Sequence, residues 1–209
     1  MTRQIRILLA SAGVALAALM PVSVPASAQV TAQAGADLAR IDATLNATQT
    51  FAGRFTQTNA DGTTDTGTVY IQRPGKLRFE YDGPLLVVSD GVTLVQRDEA
   101  LETSDRVPLS ATPLEFFLKN DVNLARDTQV VDFRKAADTW QVSARDGSGE
   151  VDGTVTLVFD AATLALRSWI IDDSFGARTR VDLSDLRYNA ELDPRLFVLR
   201  DDRRGDRRR

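Results

Sequence analysis

The sequence predicts a mainly β protein: one large, curved antiparallel sheet or open barrel with short helices packed on its concave face. Three observations carry this. From Arg73 to Gly91 the chain reads RPGKLRFEYDGPLLVVSDG, in which Leu77, Phe79 and Tyr81 fall on one strand face and Lys76, Arg78, Glu80 and Asp82 on the other. A period of two with charges on one side means that one face meets water and the other must be covered. About eleven such short runs are separated by turn residues at hairpin spacing. Helical periodicity is confined to the start and the middle of the chain. A two-sheet sandwich suits the same strand count and is the structural rival.

Taken in order, the first residues form a leader. Arg3 and Arg6 supply a positive end, Ile7 to Met20 an apolar stretch, and Ala26-Ser27-Ala28 a small-residue cleavage motif. Cleavage before Gln29 leaves 181 of the 209 residues, with 29–199 expected as one domain. A domain of that size buries roughly 70% of its unfolded surface. Gln29 to Ala34 reads as a flexible leader, and Leu38, Ile41 and Leu45 then recur at helical spacing in a short helix up to about Thr50.

Strands follow at Phe51–Thr58, Thr66–Arg73 and Lys76–Asp82, then a hairpin around Ser89-Asp90-Gly91 and a short strand at Leu101–Ser104. The pattern breaks at Pro108. Thr112-Pro113-Leu114-Glu115 has the composition of a capping box with proline at the first helical position, opening a short apolar helix to about Asn120. A second turn is expected at Val122–Arg126. Strands return at Gln129–Arg134, Thr139–Arg145, Gly153–Asp160, Leu164–Asp172 and Arg178–Tyr188, and Asp193-Pro194 starts a last helical turn. The tail from Arg200 to Arg209 is expected to be disordered.

Composition excludes several functions. The chain has no cysteine and no histidine. That removes a disulfide scaffold, a lipid-anchoring cysteine at the cleavage site, Ser-His-Asp and Cys nucleophile chemistry, and a conventional zinc site. No metal, cofactor or catalytic residue is assigned. There are 25 basic and 29 acidic residues. With the leader's two arginines removed, and the tail's six arginines and three aspartates set aside, the body holds 17 basic against 26 acidic groups, near −9. An acidic body argues against nucleic acid as a partner. Glu80 with Asp82, and the oxygen-rich loop of Asp146, Ser148, Glu150 and Asp152, read as a solvated face and a wide hairpin turn.

In order and spacing, FAGRFTQT (Phe51 to Thr58), GTVYIQRPGKLRFEY (Gly67 to Tyr81), VSDG (Val88 to Gly91) and TPLEFFL (Thr112 to Leu118) resemble the LolA family, the periplasmic outer-membrane lipoprotein carriers of Gram-negative bacteria. The resemblance covers most of the mature chain. It implies an unclosed half-barrel whose apolar cavity is capped by lid helices. It also implies a monomeric periplasmic chaperone that takes acylated lipoproteins from an inner-membrane ABC transporter and passes them to an outer-membrane acceptor or receptor. The family's receptor shares the fold but is itself a lipoprotein, so the missing cysteine favours the soluble carrier. Two features depart from the family: VTLVQRDEAL follows the SDG turn where aromatic residues are common, and the arginine-rich tail has no counterpart. Related lid-covered folds serve as lipid- or lipoprotein-sensing modules in envelope stress signalling or as glycolipid binders, which is the alternative function. A carboxylate hydrolase is a third reading, without an inward-facing acid pair to support it.

Carrying a lipid is a solvation problem. Each buried CH₂ is worth about 0.8 kcal/mol, so a chain of roughly 16 carbons resists water by about 12 kcal/mol. Phe55, Val69, Ile71, Leu77, Phe79 and Trp169 are the expected cavity lining, by face parity or by the resemblance, against the plainer reading of an ordinary dry core. Arg73 shares a strand face with Val69 and Ile71. A charge on an apolar face is costly unless its donors are met, and guanidinium suits the unpaired carbonyls of a helix C-terminus. The resemblance implies that Arg73 latches the lid, to which Leu114, Phe116 and Phe117 belong, with the two phenylalanines as its apolar underside. The plainer readings are an arginine that snorkels to solvent and a core helix that never moves.

Overall fold

The computed structural model describes residues 26–199. Helix α1 (Ala26–Ala47) leads into β1 (Thr50–Thr58), β2 (Thr64–Gln72), β3 (Lys76–Tyr81), β4 (Leu85–Asp90), β5 (Thr93–Asp98) and β6 (Thr103–Pro108). Two 3-10 turns (Leu109–Ala111 and Glu115–Leu118) and the one-turn helix α2 (Leu124–Asp127) follow. Five more strands then run as β7 (Thr128–Lys135), β8 (Thr139–Asp146), β9 (Thr154–Asp160), β10 (Leu166–Asp172) and β11 (Arg178–Tyr188), before a 3-10 turn at Pro194–Phe197. The Arg-rich tail and most of the expected leader lie outside the described residues.

All eleven strands form one antiparallel sheet in the order β6-β5-β4-β3-β2-β1-β11-β10-β9-β8-β7. The sandwich is thereby ruled out. Two meanders meet where β1 pairs with β11, and β6 and β7 are left as opposite, unpaired edges. The sheet is unclosed. The connection from β6 to β7 must therefore cross from one edge to the other, which is why residues 109–127 span the open side rather than making a hairpin.

Strand register lines up the inner face. Phe51, Ile71, Leu77 and Ser89 form one cross-strand row, and Gly53, Val69, Phe79 and Val87 the next. Phe55 lies opposite Gly67, which lies opposite Tyr81. A β-carbon on Gly67 would stand 2.5 Å from the Phe55 ring, so only glycine lets that ring lie across β2. There it packs edge-on against Phe79 and Tyr81, each at 5.0 Å between ring centres.

The turns follow from side chains that bond their own backbone. In the β4–β5 turn the Asp90 carboxylate accepts from the N–H groups of Val92 and Thr93 at 2.9 and 2.8 Å, which explains the Ser-Asp-Gly signal. Asp98 does the same for Ala100 and Leu101 (2.9 and 3.0 Å), so 99–102 is turn and the strand expected at Leu101–Ser104 is instead β6 at Thr103–Pro108.

Three further expectations are corrected. The backbone is helical from Ala26, not only after Ala34, in keeping with the alanine-rich stretch AQVTAQAGA, and α1 stops at Ala47. Thr112 closes no capping box: its hydroxyl donates to the Leu109 carbonyl at 2.7 Å, and Glu115–Leu118 is a 3-10 turn without a side-chain cap. Phe116, Phe117 and Leu118 are all buried. Three consecutive buried residues need more than the single stripe that an α-helix turns inward.

The outer face of β3 is not wholly solvated either. The last turn packs onto it, Arg78 Nη1 donates to the Leu196 carbonyl at 3.1 Å, and Phe197 is buried there. No helix among the described residues is long and apolar enough to cross a membrane.

Candidate functional site

The concave face is covered by α1 and the 109–127 crossover. Ile41 and Leu45 on the apolar stripe of α1 are buried, as are Phe116, Phe117 and Leu118 of the crossover. Beneath them Phe55, Val69, Ile71, Leu77, Phe79 and Trp169 all belong to one core cluster. The ring of Trp169 sits between the sheet and the crossover, 6.0 Å from Phe79 and 5.8 Å from Phe117. Leu114 is only partly buried at the rim of that cluster.

Arg73 stands at the end of this apolar wall and is 7% exposed. Its backbone N–H donates to the Gln49 carbonyl at 2.9 Å, and its guanidinium Nη1 donates to the Leu45 carbonyl. Leu45 lies in the last turn of α1, at the negative end of the helix dipole, and its carbonyl also accepts from the Thr48 N–H at 3.2 Å. Burial pushes the guanidinium down to about 10. Two residues on, Gly75 adopts φ +69° and its N–H donates to the Leu118 carbonyl at 2.9 Å. One turn, Arg73-Pro74-Gly75, thus holds both parts of the cover.

The two parts also hold each other. The Asn46 amide donates to the Val122 carbonyl at 2.9 Å, and the Asn46 oxygen accepts from the Val122 N–H at 2.8 Å. Asp42 accepts from the Leu124 N–H at 3.1 Å, and burial raises its carboxyl above the ordinary value. Midway along α1, the buried Asp37 carboxylate accepts from Lys135 Nζ at 2.8 Å, which holds it below the usual range. Lys135 Nζ also lies 4.1 Å from the Trp140 ring centre, with Arg40 on the same ring at 5.0 Å. α1 is therefore tied to the β7–β8 edge at its middle and to the β2–β3 turn at its C-terminal end.

Sequence reasoning missed Asp37, Asp42 and Asn46. A signal was present: Asp42 and Asn46 sit four apart, each next to a residue of the apolar stripe (Ile41, Leu45), so they flank the buried face.

A recess of about 150 Å³ opens beside the Arg73–Leu45 contact, lined by Thr44, Leu45, Thr48, Phe51, Leu164 and Leu166 among others. A larger crevice of about 400 Å³ lies on the outer face, away from the cover, with Arg78, Arg97, Arg195 and Asp193 in its walls. Unlike the recess, it carries four charged side chains in its walls.

This geometry is an apolar concavity under a cover that is tied down at several points, one of them the buried Arg73 guanidinium. Residues 46–200 match the family model described as outer membrane lipoprotein carrier protein LolA. The outer-membrane lipoprotein carrier protein of Pseudomonas syringae pv. tomato is 29% identical over 179 residues, 76% of this chain and 81% of that one. The carrier protein of Chromobacterium violaceum is 29% identical over 190 residues, 86% and 90% of the two chains. Among solved structures, a LolA superfamily protein from Nitrosomonas europaea aligns with a TM-score of 0.45 at 12% identity, covering 78% of this chain and 97% of its own. With the family model matching from the last turn of α1 to the end of the described chain, this protein belongs to the LolA family of outer-membrane lipoprotein carriers.

Proposed function

We propose that this chain is a non-enzymatic periplasmic chaperone. It takes the acyl chains of lipoproteins released by an inner-membrane ABC transporter, shields them beneath α1 and the crossover, and yields them to an outer-membrane acceptor. The observation that carries the reading is the bond between the Arg73 guanidinium and the Leu45 carbonyl. A buried cation at the end of an apolar wall makes a poor permanent core element, because its desolvation cost is met by few partners. It makes a serviceable catch, because the charge favours water once the cover lifts.

In this reading the empty protein is closed, with side chains of the cover filling the concavity. Acyl chains displace Phe116 and Phe117 from the sheet and break the Arg73 contact, and release lets both re-form. A single chain of roughly 16 carbons represents about 12 kcal/mol of apolar transfer, so the concavity must offer a comparable apolar surface. The sheet face from Phe55 through Trp169 supplies it.

Binding is tested by native mass spectrometry of the mature chain mixed with a synthetic triacylated lipopeptide and with its deacylated form. Retention of the acylated form alone supports the reading. Equal retention of both, or of neither, contradicts it.

A further inference from the structure

The carrier reading leaves open where an acyl chain first meets the closed protein, since the concavity itself is filled by buried side chains. Resting on that reading, we propose that the recess beside Arg73, between the last turn of α1 and the β9–β10 turn, is the entry mouth. It takes the terminal methylene segment of an acyl chain before the cover lifts.

Four observations converge on it. The lining is mainly apolar: Leu45, Phe51, Leu164, Ala165 and Leu166 form most of the walls, with the hydroxyls of Thr44, Thr48 and Tyr188 among them, and the one charged side chain among the lining residues is Arg73. A chain end pressed into this space therefore meets the latch directly, competing for the volume beside the Arg73–Leu45 contact. At about 150 Å³ the recess is smaller than a full ligand site, as a mouth should be.

Leu164 contributes the third observation. It is buried in the recess wall with a backbone φ of 57°, the left-handed region that a bulky residue rarely occupies. The β9–β10 turn is pinned to hold it there. Asp160 accepts from the N–H groups of Ala162 and Thr163 at 3.0 and 2.8 Å, and the Leu164 N–H donates to the Asp160 carbonyl at 2.9 Å. Such a conformation persists only where the surroundings over-determine it, and ligand clamps are among the places where that happens.

The fourth is a contrast across the same turn. The recess on the other side of Arg73-Pro74-Gly75 is lined by Glu115, Lys119 and Asn120 as well as Leu109 and Leu118. Glu115 and Lys119 form an ion pair at 3.5 Å there. A methylene chain entering on that side would desolvate the pair without a replacement partner. On the Leu164 side it displaces water from apolar walls.

The test uses the mature full-length chain and a fluorescent triacylated lipopeptide. p-Benzoylphenylalanine is installed in place of Thr48, which lines the proposed mouth, or in place of Asn120, which lines the opposite recess. Brief irradiation early in loading should cross-link the lipopeptide at position 48 at least fivefold more than at 120; the reverse ratio, or equal yields, overturns the mouth. Independently, Ala165→Trp should slow loading at least tenfold while the amount bound at equilibrium stays within twofold, with Ala165→Leu intermediate. Unchanged loading rates in both variants overturn the proposal. So does a parallel loss of equilibrium binding in the milder Ala165→Leu, which would make the recess part of the final seat. If the wild-type chain binds no lipopeptide at all, it is the carrier reading that fails, and the mouth falls with it.

Discussion

The carboxamide of Asn46 and the backbone of Val122 exchange two hydrogen bonds, 2.9 and 2.8 Å long, across 76 residues of sequence. A side-chain amide has the donor and acceptor of a peptide group, so here it pairs a helix with an irregular segment as a strand neighbour would. Asn46→Ala leaves both Val122 groups without partners in a part-buried setting. The expected loss is about 2 kcal/mol in urea unfolding. Amide exchange at Val122 should rise with it, and Asn46→Asp, which keeps the acceptor alone, should fall between.

Lys135→Met tests the clasp at the middle of α1. It removes the shortest contact of the buried Asp37 carboxylate and leaves it only Gln33 at 3.3 Å and Arg40 at 3.5 Å, at an expected cost of about 1 kcal/mol at neutral pH, because Lys135 is half exposed and these two partners remain. The Asp37 carboxyl is held below its ordinary 3.8, chiefly by the Lys135 hydrogen bond. A folded-state value below the unfolded one stabilises the protein above the unfolded value and is lost as pH falls through the lowered one. Thermal melts should therefore separate wild type and variant at neutral pH and converge as the medium is acidified below 3.8.

Tyr81 works in the opposite direction. Its phenol is pushed up to about 12 by burial, while its O–H donates to Gln57 Oε1 at 2.8 Å. The neutral form is favoured in the folded chain, so its contribution is whole below the ordinary value of 10.0 and disappears as pH rises toward 12. Tyr81→Phe should flatten the alkaline limb of the stability profile between those limits.

Gly67→Ala should cost about 2 kcal/mol and weaken the near-ultraviolet circular dichroism. The new β-carbon would fall 2.5 Å from the Phe55 ring and closer still to the Glu80 carbonyl oxygen, and the backbone oxygen cannot swing away.

Much of the architecture was legible because antiparallel pairing writes itself into local sequence. The alternation of Leu77, Phe79 and Tyr81, and turn chemistry such as Asp90-Gly91, place strands and hairpins without long-range information. The crossover was less legible. Thr112, Pro113 and Glu115 look like a helix start, yet residues 114–118 serve the need to bury three consecutive side chains, which local propensity cannot register. In the site, a charge on an apolar face marked Arg73 as unusual. Its acceptor, the Leu45 carbonyl, could not be read, because every residue carries the same backbone oxygen and only tertiary packing chooses among them. The outer face of β3 was misread for a similar reason: nothing in LRFEY announces that Phe197, more than 100 residues later, comes to cover it.

Competition between cargo and the Arg73 contact, as proposed, is read out by transport in the presence of membranes. Spheroplasts carrying the inner-membrane transporter and labelled lipoprotein are incubated with ATP and the purified mature chain, and soluble lipoprotein is counted before and after outer-membrane acceptor is added. Wild type should release lipoprotein and surrender it. Leu77→Glu, which puts a charge into the buried face, should release none. Arg73→Leu should load but surrender its cargo at least about tenfold more slowly, because a charged hydrogen bond of about 1.5–3 kcal/mol no longer re-forms in the empty state. Release by Leu77→Glu at the wild-type level would show that cargo does not occupy the buried sheet face, and an Arg73→Leu chain that loads and unloads at wild-type rates would show that Arg73 is no latch.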